Sequence, residues 1–175
     1  MIIKSLFIYI FSLLTTSCQS FLSFPENHSY QEIFKFGNEV GETHNLKLVG
    51  YGGGTDKGMS TFNLTLTGKQ KLNINEARVL FFEVTSSFVS RINTNERLRA
   101  LTLDNTFSVA NVELHIMLPD MQNYVTGITN GRVADRNQVQ YVYFFTYNPA
   151  FKESDITYQE PYEQLKSIVE QQSGL

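Results

Sequence analysis

The residue types most suggestive of chemistry crowd into "YGGGTDKGMS", Tyr51 to Ser60, where Gly52, Gly53 and Gly54 are followed by Lys57 and Gly58. A phosphate loop needs Gly-x-x-x-x-Gly-Lys and then Ser or Thr, so that backbone N–H groups ring the phosphate and the lysine reaches it. Here Lys57 precedes Gly58. A dinucleotide loop needs Gly-x-Gly-x-x-Gly opening a helix. Gly50 and Gly52 fit the first two places, but Thr55 stands in the third and a strand pattern follows. The glycines are therefore expected to supply positive φ angles and a bulge in a hairpin, with "TDKG" as its turn.

The three histidines are His28, His44 and His115. A catalytic zinc needs three converging ligands, and no His-x-x-x-His or carboxylate cluster is present, so no metal site and no cofactor is expected. Glu113 and His115 project from one face of one strand and read as a solvent-facing pair. No Gly-x-Ser-x-Gly elbow exists, and the lone cysteine, Cys18, lies at the end of the leader. Glu153 with Asp155 and Glu160 with Glu163 read as solvated charges, the second pair favouring a helix start. The chain is expected to act without a catalytic site. An envelope hydrolase working through His115 is the alternative from a different class.

One feature is suited to binding. In "VQYVYFFTY", Val139, Tyr141, Tyr143, Phe145 and Tyr147 share a strand face. Tyrosine rings offer flat apolar surfaces with polar rims, fit to stack on sugars or grip a peptide. Tyr141, Tyr143 and Tyr147, with Glu113 and His115, form the candidate binding surface. The simpler expectation is that a helix covers this face, because large aromatics dominate cores.

The elements that position these residues follow from periodicity. Ser29 and Glu32 have capping-box spacing, Tyr30 and Ile33 are one turn apart, and Gly37 reads as the end of a short helix. Leu46 and Leu48, then Phe62, Leu64 and Leu66 alternating with Thr61, Asn63, Thr65 and Thr67, predict two antiparallel strands with a wet threonine face. Ala77, Leu80, Phe81, Val84, Phe88 and Ile92 form a helical stripe, with Asn73 as cap and Glu76 returning its bond. "TNERLRAL" extends it as a second short helix. Val112, Leu114, Ile116 and Leu118 predict another strand, out of phase with Phe107 and Val109, so a break is expected near Ala110 and Asn111. Tyr124 to Ile128 pairs next, with Asn130 and Gly131 as a tight turn, and the aromatic strand follows. Pro161 starts a C-terminal helix with Tyr162, Leu165 and Ile168 or Val169 inward, ending at Gly174. The expected fold is α+β: an antiparallel sheet of four to five strands with a long helix packed on one face, a two-layer sandwich.

Composition adds bounds. The 175 residues are 42% hydrophobic and 18% charged, in the range of a globular chain, and the net charge is −3 with no basic block. Nucleic acid is not an expected partner, since the attraction it needs is missing. The first residues, "MIIKSLFIYIFSLLTTSCQS", have Lys4, an apolar run from Leu6 to Leu14, and then small polar residues. That is the layout of a signal peptide, and the run is too short for a spanning helix of roughly 20 apolar residues. Residues 1–17 read as the leader, 18–27 as a tether and 28–175 as one domain.

The "LLTTSC" segment resembles the lipobox of bacterial lipoproteins, with Thr15 where an apolar residue is usual. The resemblance implies acylation of Cys18, anchoring in the membrane and, with Gln19 following, the outer membrane. The alternative is an ordinary cut after Ser20, which releases a soluble factor. The stretch from Gly52 to Tyr147 resembles small uncharacterised exported bacterial proteins. It does so through its glycine triplet, "EAR" (Glu76, Ala77, Arg78) and "RINTNERLR" (Arg91 to Arg99). That resemblance implies a lipoprotein-like α+β domain and brings no catalytic residues. The functional expectation is an envelope lipoprotein that binds a protein or cell-wall partner.

Overall fold

The computed structural model describes residues 28–55, 58–99, 102, 107–119, 123–132, 139–148, 150 and 153–174. The leader, Cys18, the tether, Asp56 and Lys57 of the expected turn, and the end of "TNERLRAL" lie outside the described residues. In chain order the elements are α1 (His28–His44), β1 (Leu46–Thr55), β2 (Gly58–Gly68), α2 (Ile74–Thr94), α3 (Glu96–Arg99), a 3-10 turn (Val109–Asn111), β3 (Val112–Met117), β4 (Val125–Arg132), β5 (Gln140–Asn148), β6 (Glu153–Pro161) and α4 (Tyr162–Ser173). The six strands form one sheet in the order β1-β2-β3-β4-β5-β6.

Mixed α and β structure is as the periodicity predicts, but two features of the sheet differ. It has six strands, because the segment with Glu153 and Asp155 is strand β6 and not a polar lead-in to the last helix. It is also not wholly antiparallel: β2 and β3 run parallel, and the other neighbours antiparallel. The reason is α2, which lies between them in the chain and carries it back across the sheet, so β3 starts at the same end as β2.

Alternation decides which face is covered. Phe62, Leu64 and Leu66 of β2, Val112, Leu114 and Ile116 of β3, Ile128 of β4, and Val142 and Phe144 of β5 are buried, in one cluster with the inward stripes of α1, α2 and α4. The α2 stripe is the predicted one: Ala77, Leu80, Phe81, Val84, Phe88 and Ile92 are all buried. Its start is a capping box, in which Asn73 Oδ1 accepts from the Asn75 and Glu76 N–H groups and Glu76 accepts from the Asn73 N–H. Phe88 stacks on Phe36 of α1 with centroids 4.8 Å apart and meets Phe62 edge-on at 6.1 Å. At its far end, Arg91 pairs with Glu32 and Glu39 of α1, and the Asn93 amide donates to Phe107 O and accepts from Phe107 N–H.

Helix α1 does not stop at Gly37. It runs to His44 and closes on Asn45, whose φ is 54°. Gly37 lies against β1, where an added Cβ would sit 2.7 Å from Leu48, so its missing side chain serves close packing and not a cap. Of the glycines after Tyr51, Gly53 meets the expectation: the β1–β2 register shifts between it and Thr55, its φ is 141°, and an added Cβ there would run into Thr61 O, whereas Gly52 has no positive φ. The expected break before β3 is the 3-10 turn at Val109–Asn111.

Helix α4 packs Tyr162, Leu165 and Val169 inward, starts after Pro161 and ends at Gly174 in the left-handed region. Burial raises the pKa of the Tyr162 phenol above its usual 10.0, against a weaker opposing effect from a hydrogen bond with Ser86. The folded state therefore resists ionising this group more than the unfolded chain does. Its contribution is intact below about pH 10 and falls as pH rises from there through the folded value. Alkaline titration of thermal stability is expected to show a loss beginning near pH 10 that is shallower in Tyr162→Phe; identical alkaline slopes would refute this.

Candidate functional site

With the helices on one side, the alternate residues of the strands are left facing outward. The pairing registers place them in rows. Gly50, Thr65, His115, Thr129, Tyr143 and Gln159 follow one another from β1 to β6. A neighbouring row holds Thr67, Met117, Gly127, Phe145 and Ile156. On the other side are Gly52, Asn63 and Glu113, then Gly131, Tyr141 and Pro161. Neighbouring strands are about 4.8 Å apart, so His115 and Tyr143 are separated by roughly 10 Å across Thr129.

The tyrosine face is thus not the covered one. Val142 and Phe144, in the opposite phase, go under the helices, while Tyr141, Tyr143, Phe145 and Tyr147 stay partly exposed on the open side. Tyrosine tolerates this because its hydroxyl keeps water while its ring covers neighbours. Tyr141 and Tyr143 lie with ring centroids 6.5 Å apart, tilted by 35°. The candidate residues Glu113, His115, Tyr141, Tyr143 and Tyr147 therefore share one surface, as the alternation of β3 and β5 requires. Period two on β3 also puts Met117 on this face, whereas Ile156 lies on the strand that periodicity missed; both are about half exposed there.

His115 is exposed, and its Nδ1 lies 2.6 Å from the Thr129 hydroxyl. A hydroxyl within reach of an imidazole is one part of a nucleophile–base pair, but a working pair also needs a third group to orient the ring and a recess to exclude water. A recess of about 320 Å³ does open near one end of the face, lined by Thr61, Ala110, Val112, Glu113, Gly131 and Gln140, with His115 outside it. Gln140 Oε1 is buried there without a hydrogen-bond partner. Among the described residues no group of three potential metal ligands occurs, and no helix is long and apolar enough to cross a membrane.

This recess exists because β3 and β4 part company. Their backbone pairing covers His115, Ile116 and Met117, and beyond it the Asn130 side chain takes over: Nδ2 donates to Val112 O and Oδ1 accepts from Leu114 N–H, each at 2.7 Å. Asn130 and Gly131 are therefore not the predicted tight turn but lie within β4. Glu160 also departs from expectation. It is 1% exposed and paired with Arg78, Nε to Oε1 at 2.7 Å and Nη2 to Oε2 at 3.1 Å, while Tyr158 donates to Oε2 at 3.1 Å. The carboxylate raises the pKa of Arg78, chiefly through their hydrogen bonds.

The fold is a two-layer α+β arrangement with a polar, aromatic open face. No known family, curated protein or solved structure significantly matches this chain.

Proposed function

We propose that this protein is an envelope-anchored bacterial lipoprotein, acylated at Cys18, whose open sheet face binds a cell-wall glycan. The reading is supported by one observation above others: Tyr141, Tyr143 and Tyr147 lie uncovered on the same face as a row of hydrogen-bonding side chains, Thr65, His115, Thr129 and Gln159. Sugars present apolar C–H faces for rings and hydroxyls for such side chains. The charged residues along these rows are Glu113 and, beside Thr67 at the β1 end, Lys47, one of each sign, which suits an uncharged polymer better than a strongly charged partner. A protein partner on the same face is the alternative.

Cosedimentation of the mature chain with purified cell-wall sacculi tests this. The Tyr141→Ala/Tyr143→Ala variant is expected to bind roughly tenfold more weakly, about what two lost ring contacts amount to. Binding that survives this change, or that vanishes once residual protein is stripped from the sacculi, would reject the glycan reading. Mass spectrometry of the mature N-terminus decides the anchor: an acylated Cys18 supports it, and a free N-terminus after Ser20 makes the protein a soluble secreted factor. The hydrolase reading has the His115–Thr129 contact in its favour. It predicts release of soluble sugar or peptide fragments from the sacculi, abolished by His115→Ala.

A further inference from the structure

A second exposed apolar patch lies apart from the tyrosine face, at the junction of α1 with the edge strand β1. Phe34 is 49% exposed and Tyr51 44%, with their ring centroids 5.6 Å apart, and Tyr30 joins them 6.4 Å from Tyr51. Tyr30 is held in place by donating its hydroxyl to Gly53 O at 2.9 Å. Val49, on the same edge strand at its register shift, is 50% exposed. Phe34 and Val49 have no polar rim, so leaving them in water is unfavourable by an amount proportional to their area.

We propose that this patch rests on the surface of the bilayer that holds the acylated Cys18, inserting Phe34 and Tyr51 at the level of the headgroups. The inference rests on the anchoring part of the reading above. The place where the chain enters the fold supports it. From Cys18 to the start of α1 at His28 there are ten residues, which span at most roughly 35 Å even when fully extended. Phe34 follows six residues further on, about 9 Å along the helix. The anchor segment thus joins the fold two residues before Tyr30, at the patch itself, whereas the opposite edge of the sheet, β6, is five strand spacings or about 24 Å away from β1. The sequence of the connecting segment points the same way: Phe21, Leu22 and Phe24 are apolar and would partition toward the interface. Aromatic side chains favour that level of a bilayer. Resting on the β1 edge, the sheet would stand on its side with its open face turned along the membrane, clear of the lipid.

The chain contains no tryptophan and only one cysteine, so both the attachment and the reporter can be unique. The mature chain is coupled through Cys18 to a maleimide-bearing lipid in phosphatidylcholine vesicles, which supplies the anchor whether or not the cell acylates it. Single variants Phe34→Trp, Tyr51→Trp and, as the far-edge control, Ile156→Trp are then compared for quenching by phosphatidylcholine brominated along its acyl chains. An interfacial aromatic sits about 5–10 Å into the headgroup boundary, so Phe34→Trp or Tyr51→Trp is expected to lose about half its emission and Ile156→Trp almost none. Equal quenching at the two edges, or none at either, overturns the proposal. So does a blue-shifted Phe34→Trp emission in vesicle-free solution. If that shift grows with concentration, a second copy covers the patch; if it disappears when Phe21, Leu22 and Phe24 are changed to serine, the chain's own tether does.

Discussion

Glu160→Ala is expected to lower the melting temperature by roughly 10 °C, the largest effect of any single charge removal in the described core. The carboxylate is essentially unexposed and the Arg78 side chain is 12% exposed, so the variant leaves a guanidinium facing a space that neither water nor a counter-charge fills. Breaking a buried pair from one side costs about 3–5 kcal/mol. The Arg78 Nη1 bond to Asn75 Oδ1 at 2.7 Å and its position 5.1 Å over the Tyr158 ring compensate only in part, which places the expected loss near 3 kcal/mol. For a chain of this size each kcal/mol moves the midpoint by about 2–4 °C. The informative comparison is the double variant Arg78→Met/Glu160→Leu, which removes both charges and refills the volume. It should recover most of the loss, as replacements of whole buried pairs generally do. A Glu160→Ala protein that melts within 2 °C or so of the parent would mean that the pair is solvated and contributes little.

Asn130→Asp is the second substitution with a large expected effect, although it changes one atom and hardly any volume. The asparagine amide both donates to Val112 O and accepts from Leu114 N–H in a site 5% exposed. An aspartate keeps the acceptor but sets its second oxygen against the Val112 carbonyl and brings a charge into the core. The expected cost at pH 7 is about 3 kcal/mol or more, from the lost bond together with the desolvated charge. Protonation restores a donor. The introduced carboxyl is disfavoured as an anion in the fold, so its folded pKa lies above the unfolded value near 4. Stability relative to the parent should therefore improve as pH falls toward that range and worsen as it rises. Denaturant unfolding of both proteins at pH 4 and pH 7 measures it, and a difference independent of pH would show that the site is wet.

Both residues illustrate where sequence reasoning stops. The α2 stripe, its Asn73 cap, the threonine alternation of β2 and the end of α4 at Gly174 were all legible, because each is a local pattern whose physical cause lies within one element. Strand β6 was not, since its inward positions are Tyr158 and Glu160, and a strand that buries a carboxylate carries no apolar alternation. The partner that makes that burial tolerable is 82 residues away. Asn-Gly at 130 and 131 suggested a turn because both residues accept positive φ, whereas the amide is used as a substitute for missing backbone pairing. Asn93 does the same for Phe107.

The open face of the sheet was half legible. Alternation placed Tyr141, Tyr143, Phe145 and Tyr147 together, yet in "VQYVYFFTY" the other phase holds Val142 and Phe144, so both sides of β5 are apolar enough to be the inner one. Which phase goes inward is settled by the pairs across the sheet. Phe144 lies beside Ile128, and Ile128 beside Ile116. Glu113 and His115 follow from the same rule on β3, whose burial alternates without interruption.

The Arg78–Glu160 pair also orders events in time. A chain that emerges N-terminus first, from the ribosome or through the export proposed above, presents the whole of α2 long before residue 160 arrives. Until then the inward-turned guanidinium has no counter-charge, and β5 lacks its outer neighbour. The last strand to emerge would therefore act as the latch that closes the pair and completes the sheet.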